Sequence, residues 1–176
     1  MATFKAFDEN AEVLGASLVI TTKSFGDEVI PILEKHHIFP IDPDGWYKQQ
    51  DWLNAFSELS EGNYMNLVAM GMKVPDFAVW PPSIKTVHEA LASINVAYHM
   101  NHRNGEIGNY HYEKTGDQSG KMVCRNPYPS DFDYGIIYRT VAKFTDPDNS
   151  QFAVRVDGSQ PSRKLGEDSC TYLISW

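Results

Sequence analysis

The chain has 176 residues, of which 42% are hydrophobic and 12% aromatic, a composition that folds and that excludes intrinsic disorder. At roughly 150 residues per domain the length gives one domain over 1–176, large enough to bury a core without a metal or a disulfide. Lys and Arg number 15 against 23 Asp and Glu, a net charge of −8, which excludes a nucleic-acid partner and an anionic membrane surface because both require a basic face.

The N-terminal residues carry no apolar signal core, and no stretch reaches the ~18 apolar residues of a membrane span. The expectation is a cytoplasmic protein. Cys124 and Cys170 lack Cys-x-x-Cys spacing and read as buried thiols, with no metal site.

Along the chain, Asn10 is a candidate N-cap. Leu14, Leu18, Phe25, Val29, Ile32 and Leu33 lie at helical spacing and predict helices over 11–22 and 25–37. Ser24 with Asp27 reads as a capping box, and His36-His37 as a helix end. Pro40 to Gly45 is turn chemistry. Trp46, Leu53, Phe56 and Leu59 form the next helical stripe, ended by Gly62. Tyr64, Leu67, Val68 and Gly71 start another helix, which Pro75 stops. Pro81-Pro82-Ser83 opens a helix with Ile84, Val87, Leu91 and Ile94 on one face.

From Val96 short runs of Tyr, Val, Ile and Phe alternate with Gly, Asn and Asp clusters, the pattern of strands and turns. Strands are predicted near 96–103, 106–114 and 121–126, the first two joined at Asn104-Gly105 as a two-residue hairpin. Asn126-Pro127-Tyr128-Pro129 forms a corner. Ser130 and Asp133 then form a capping box for a helix carrying Phe132, Ile136, Ile137, Val141 and Phe144. Strands at 151–157 and around Cys170, Tyr172 and Ile174 complete the chain, with a polar surface loop from Asp157 to Asp168. The class is α+β: an antiparallel sheet from the C-terminal half covered by helices of the N-terminal half.

This block of hairpins, the Asn126-Pro-Tyr-Pro129 corner, the helix with Gly135, and the ending Gly166-Glu-Asp-Ser-Cys170-Thr-Tyr-Leu-Ile resembles a known fold. It is shared by 4-vinyl reductase domains, haem nitric-oxide/oxygen-binding domains and Golgi-transport complex subunits, and the ending is most similar to the 4-vinyl reductase branch. The resemblance covers mainly 84–176. It implies a pocket between helices and sheet for a small apolar or tetrapyrrole-like ligand, in a sensory or regulatory module that is often dimeric. The haem-binding branch uses a Tyr-x-Ser-x-Arg arrangement. Here the corresponding strand reads Tyr110-His111-Tyr112-Glu113-Lys114, without the Ser and Arg, which argues against haem held in that way. The Cys cluster of some 4-vinyl reductase domains is also missing.

The densest chemical segment is Tyr98-His99-Met100-Asn101-His102-Arg103. On a strand, His99 and His102 would point to opposite faces and could not ligate one metal. A two-residue turn at Asn104-Gly105 would set His99 against Tyr110 and His111 against Tyr98, an aromatic and histidine lining. Arg125 precedes the helix that starts at Ser130, where an anion could dock or a local Asp could pair with it. The candidate ligand contacts are therefore His99, His102, Arg103, His111, Arg125 and Tyr128. Trp46, Tyr47, Trp52 and Trp80 are either core or an aromatic surface.

No nucleophile elbow, Gly-x-Gly-x-x-Gly or Walker pattern occurs, so no catalytic residue is assigned and the cofactor stays open. The expectation is a non-catalytic small-molecule-binding or sensory domain acting through a homodimer or a protein partner. The alternatives are an enzyme acting on a tetrapyrrole-like ligand, or an assembly subunit without a ligand.

Overall fold

The computed structural model describes residues 4–23, 26–61, 66–146 and 151–176. Ser24, Phe25, Gly62 and Tyr64, named above as helix signals, lie outside these.

The N-terminal segment begins with a short strand, β1 (Glu12–Leu14), rather than helix. Helix α1 (Gly15–Thr22) follows without a side-chain cap, so Asn10 is not its N-cap. A 3-10 turn at Asp27–Val29 leads into α2 (Ile30–Lys35), shorter than the predicted 25–37. Strand β2 (Trp46–Lys48) runs directly into α3 (Gln49–Glu61). Helix α3 buries Trp52, Leu53, Phe56 and Leu59 at the spacing read from the sequence. Helix α4 (Leu67–Phe77) is capped by Asn66, whose side chain accepts from the Val68 and Ala69 amides. Pro75 lies inside α4 instead of stopping it.

Helix α5 (Val87–Met100) starts at Thr86, which forms a reciprocal capping box with Glu89. The Pro81-Pro82-Ser83 segment precedes this start. The helix runs through Met100, so the predicted strand at 96–103 is mostly helix. Of residues 96–100 only Tyr98 is buried, and Val96 and Met100 are exposed; the cap at Thr86 and continuous i, i+4 bonding outweigh β propensity. Only β3 (His102–Arg103) is extended, and it pairs with β1, setting Val13 opposite His102. The Asn104-Gly105 hairpin does not form: both residues have positive φ, but their flanking segments join different sheets.

The main sheet takes β4 (Asn109–Gly116), β5 (Ser119–Arg125), β6 (Ala153–Val156) and β7 (Ser169–Ser175) in the antiparallel order β4-β5-β7-β6. Its inner face carries Tyr110, Met122, Cys124, Tyr172, Ile174 and Val154, all buried. The second sheet, β2-β1-β3, was not foreseen; its strands are only two or three residues long. Helix α6 (Ser130–Phe144) lies over the main sheet, tied to it where the Tyr172 hydroxyl donates to the Ser130 carbonyl at 2.6 Å.

Helices α4 and α6 cross at two glycines. A Cβ on Gly71 would lie 2.0 Å from the Phe132 carbonyl oxygen, and one on Gly135 would lie 2.1 Å from that of Val68. Only residues without side chains permit this approach. The crossing sets one wall of the cavity described next.

Candidate functional site

A cavity of about 460 Å³ lies among α1, α4, α5 and α6, with β1, β3 and the start of β4 at its inner end. That volume is in the range of small-molecule pockets. Val13, Ile20, Trp52, Val74, Trp80, Ile84, Ile94, Phe132 and Ile136 give it apolar walls. Among the described residues, no Lys, Arg, Asp or Glu lines it.

The polar side chains on the walls are turned to partners inside the protein. Ser93 donates to the Ala90 carbonyl, Thr140 to that of Ile136 and the Trp80 indole to that of Pro75. Asn101, at the C-terminal end of α5, donates to the Ala97 carbonyl and accepts from the Ser17 hydroxyl at 2.9 Å, which ties α1 to α5.

The inner end holds a buried polar cluster. His102 Nδ1 faces the Tyr98 carbonyl at 2.9 Å, and its Nε2 faces the Tyr128 hydroxyl at 2.7 Å. A carbonyl only accepts, so Nδ1 carries the proton and Tyr128 donates to Nε2. Burial holds the His102 pKa down at about 4, against the bond to the Tyr98 carbonyl, with His99 adding to the depression. The imidazole is therefore neutral at pH 7. Burial raises both phenols, Tyr98 and Tyr128. The Tyr98 hydroxyl donates to the Ile107 carbonyl. Gln49, at the start of α3, is fully buried, and neither atom of its carboxamide has a hydrogen-bond partner. Its carboxamide nonetheless lies near enough to the Tyr98 and Tyr128 phenols to pull their pKa values down against burial.

Behind this layer lies a buried ion pair. Asp133 and Arg163 are 0% and 2% exposed. Arg163 Nη2 donates to Asp133 Oδ2, and Nη1 donates to the Asn126 and Tyr128 carbonyls at 3.0 and 2.6 Å. Asp133 also accepts from the Tyr110 hydroxyl at 2.6 Å and from the Asn126 amide at 3.1 Å. Burial alone would lower the Arg163 pKa; the Asp133 carboxylate outweighs it and raises it. Asp133 is thus not half of a capping box: the N-cap position is Pro129, with no side-chain cap.

Of the residues singled out from the sequence, His102 and Tyr128 meet at the cavity. The other four lie elsewhere. His99 is exposed on α5, facing the Asn95 carbonyl at 2.9 Å. Arg103 pairs with Glu12 at 2.6 Å and sits 4.1 Å over the Trp46 ring. His111 is exposed on β4, opposite Val123 rather than Tyr98. Arg125 pairs with Glu106 at 3.1 Å and lies 4.8 Å over the Phe7 ring, so its partner is a Glu instead of an Asp. Trp52 and Trp80 line the cavity, while Trp46 lies under Arg103. Gln49 and Arg163 were not anticipated. One sits at a helix start and the other in a polar loop that reads as surface, and neither has a sequence signal of burial. Among the described residues, no three His, Cys, Asp or Glu side chains converge as metal ligands, and no helix is long and apolar enough to cross a membrane.

No protein-family model matches the chain, and a search of curated proteins finds no match. Solved structures do match. An H-NOX protein from S. oneidensis in the Fe(II)NO ligation state is 12% identical, with a TM-score of 0.65 over 92% of this chain and 98% of its own. The unliganded Fe(II) A71G mutant H-NOX protein from K. algicida is 17% identical, with a TM-score of 0.65 over 92% and 95%. A structure on haem distortion in the H-NOX family is 15% identical, with a TM-score of 0.67 over 92% of each chain. This chain has the fold of H-NOX proteins, one of the groups that share the fold its sequence resembles.

Proposed function

We propose that this chain is a non-catalytic sensory domain that buries a mostly apolar small molecule between its helices and its sheet. The observation that carries the reading is the 460 Å³ cavity with an uncharged lining. Ligand burial would shift a conformational equilibrium, passed to a second copy of the chain or to a separate protein. The buried free thiols Cys124 and Cys170 suit a reducing cytoplasm.

The fold implies haem, and the cavity residues do not fit it. An axial ligand must offer iron a lone pair, yet both nitrogens of His102 are hydrogen-bonded, and burial keeps the Tyr98, Tyr110 and Tyr128 phenols protonated where iron would take a phenolate. Met100 lies at the mouth, 71% exposed. The two carboxylates of haem would find no Lys or Arg on the lining, and burying an unpaired charge is costly.

Native and denaturing mass spectrometry of the purified protein tests this, together with titrations of Nile red and of haemin. The reading expects either a co-purified apolar mass lost on denaturation or saturable Nile red fluorescence. It also expects no haem absorption band that depends on His102. A bare native mass with no saturable Nile red binding would refute the ligand reading and favour an assembly subunit. A haem band abolished by His102→Ala would refute the choice of an apolar ligand over haem.

A further inference from the structure

We infer that residues 78–86, the segment between α4 and α5, form a lid that closes over the occupied cavity and is latched open by Trp80. The inference rests on the apolar-cavity reading above and names the part that moves when the ligand binds.

The mouth of the cavity is apolar on two elements. Phe77 and Val79, at the end of α4 and in the segment after it, are 43% and 95% exposed; Val96 and Met100, on α5, are 61% and 71% exposed. Single exposed apolar residues are ordinary, but four lining one opening are not. Drawing the segment toward α5 over a ligand takes all four out of water, and apolar burial is favourable in proportion to its area. Over an empty cavity the same movement seals a void, whose lining has no partner atoms. Closure is therefore favoured only when the cavity is filled, which is the differential a ligand-driven shift requires.

The segment is the wall that can move. Ala78, Val79, Trp80, Pro81 and Ile84 line the cavity from it, and it is neither helix nor strand. At its start the Ala78 amide donates to the Val74 carbonyl, and at its end the Lys85 and Thr86 amides donate to the Glu89 carboxylate. Between these, the Ile84 amide bonds only within the segment, to the Pro81 carbonyl. Among the described residues, the Trp80 indole makes the one hydrogen bond from the middle of the segment to another element. A stretch so sparsely bonded opens at low cost. Pro81 and Pro82 fix two φ angles in succession, so the middle swings as one piece.

Trp80 is the latch. Its indole donates to the Pro75 carbonyl in α4 at 2.9 Å, and its ring meets Phe144 of α6 edge-on at 4.8 Å. The Pro75 carbonyl has a second donor, Lys143 Nζ at 3.1 Å. Releasing the indole therefore leaves that carbonyl bonded, and the half-buried Trp80 gives its N–H to water. No buried polar group is stranded, so the latch is weak enough for a ligand to release. The ligand reaches it directly, because Trp80 is part of the wall.

The experiment is a pulsed EPR distance between nitroxides on Ser83→Cys and His99→Cys, with and without saturating Nile red. Both positions are exposed and off the lining, and the native cysteines are buried. Labelled chain is diluted with unlabelled chain, so the distance is within one molecule. Nile red affinity is then compared between the native chain and Phe144→Leu, which loosens the latch without touching the lining. Thermal melting checks that this variant folds; Trp80→Phe, which drops the indole bond and keeps a ring, replaces it otherwise. The expectation is a shorter distance with Nile red bound, and Nile red binding about two- to twelvefold tighter in the variant, the ratio for one aromatic edge contact. A wall that does not move predicts equal or weaker binding there. An unchanged distance at saturating Nile red, or a folded variant that binds no tighter, would overturn the lid. So would a native mass that doubles on binding while the distance stays fixed, since a second copy would then cover the rim. In each of these cases Nile red binds and the cavity reading stands. If Nile red never binds, the cavity reading falls and the lid with it.

Discussion

His102 makes the stability of this fold depend on pH in one direction. Its imidazole is held at a pKa of about 4 by burial, against an ordinary 6.5. The unfolded chain therefore binds a proton that the folded chain refuses between these two values. Stability is complete above pH ~6.5 and is lost as pH falls toward ~4. Over the whole window the loss is about 3 kcal/mol, and from pH 7 to pH 5 about 2 kcal/mol. For a chain of this size that is about 4–8 °C in Tm. The assay is urea or thermal unfolding of the native protein and of His102→Leu at pH 7, 6 and 5. The variant is weaker at every pH, because it leaves the buried Tyr128 hydroxyl without its acceptor. Its slope with pH should nonetheless be flatter by the stated amount. Carboxylates such as Glu58 and Glu113, lowered chiefly by their hydrogen bonds to lysines, titrate in both proteins and cancel in the difference. Parallel curves would show that the folded chain accepts a proton at His102 freely, and the buried neutral pair with Tyr128 would then be wrong.

Asp133→Asn strands the buried Arg163 charge and should cost about 3–5 kcal/mol in urea unfolding; a loss under ~1 kcal/mol would mean that water reaches Arg163. Gly135→Ala forces a Cβ to 2.1 Å from the Val68 carbonyl oxygen. It should destabilise by about 1–3 kcal/mol and weaken Nile red binding by moving α4, whereas Gly158→Ala, with nothing within 4 Å of its added carbon, should leave binding unchanged. Cys124 and Cys170 should resist a thiol reagent until the chain is unfolded, since both are buried and burial raises the Cys124 pKa well above its ordinary value; rapid labelling of the native protein would count against the packing of the main sheet.

Elements with a strong local period were legible in the sequence: the α3 stripe, the alternation in β6 and β7, and α6. The segment 96–103 was not, because its Tyr and Val favour a strand locally and the deciding signal lay ten residues upstream at Thr86 and Glu89. That error carried into the site. Read as a strand, the segment brought His99 and His111 toward one lining; as the end of a helix it sends His99 to solvent and leaves His102 to reach the cavity through a two-residue pairing with β1. Tyr128 was legible because the Asn126–Pro129 corner confines it. Arg163 was not, because its partner Asp133 lies 30 residues away and Arg usually marks surface.

The order of layers explains how one small interior holds both a full ion pair and a neutral pocket. Charge lies deepest, at Asp133 and Arg163. Phenols come next: the Tyr110 hydroxyl points back to Asp133 while the residue itself lines the cavity, and the Tyr128 carbonyl holds Arg163 while its hydroxyl meets His102. Apolar side chains face the ligand. The tyrosines thus direct their polarity inward, and a molecule in the cavity meets little charge. Such an arrangement needs the chain to fix Tyr128 from both sides, which is what the Pro127 and Pro129 flanks and the Arg163 bond to its carbonyl do. Arg163 thus supports the inner end of the cavity at one remove, through the Tyr128 carbonyl it holds and the His102 that Tyr128 meets.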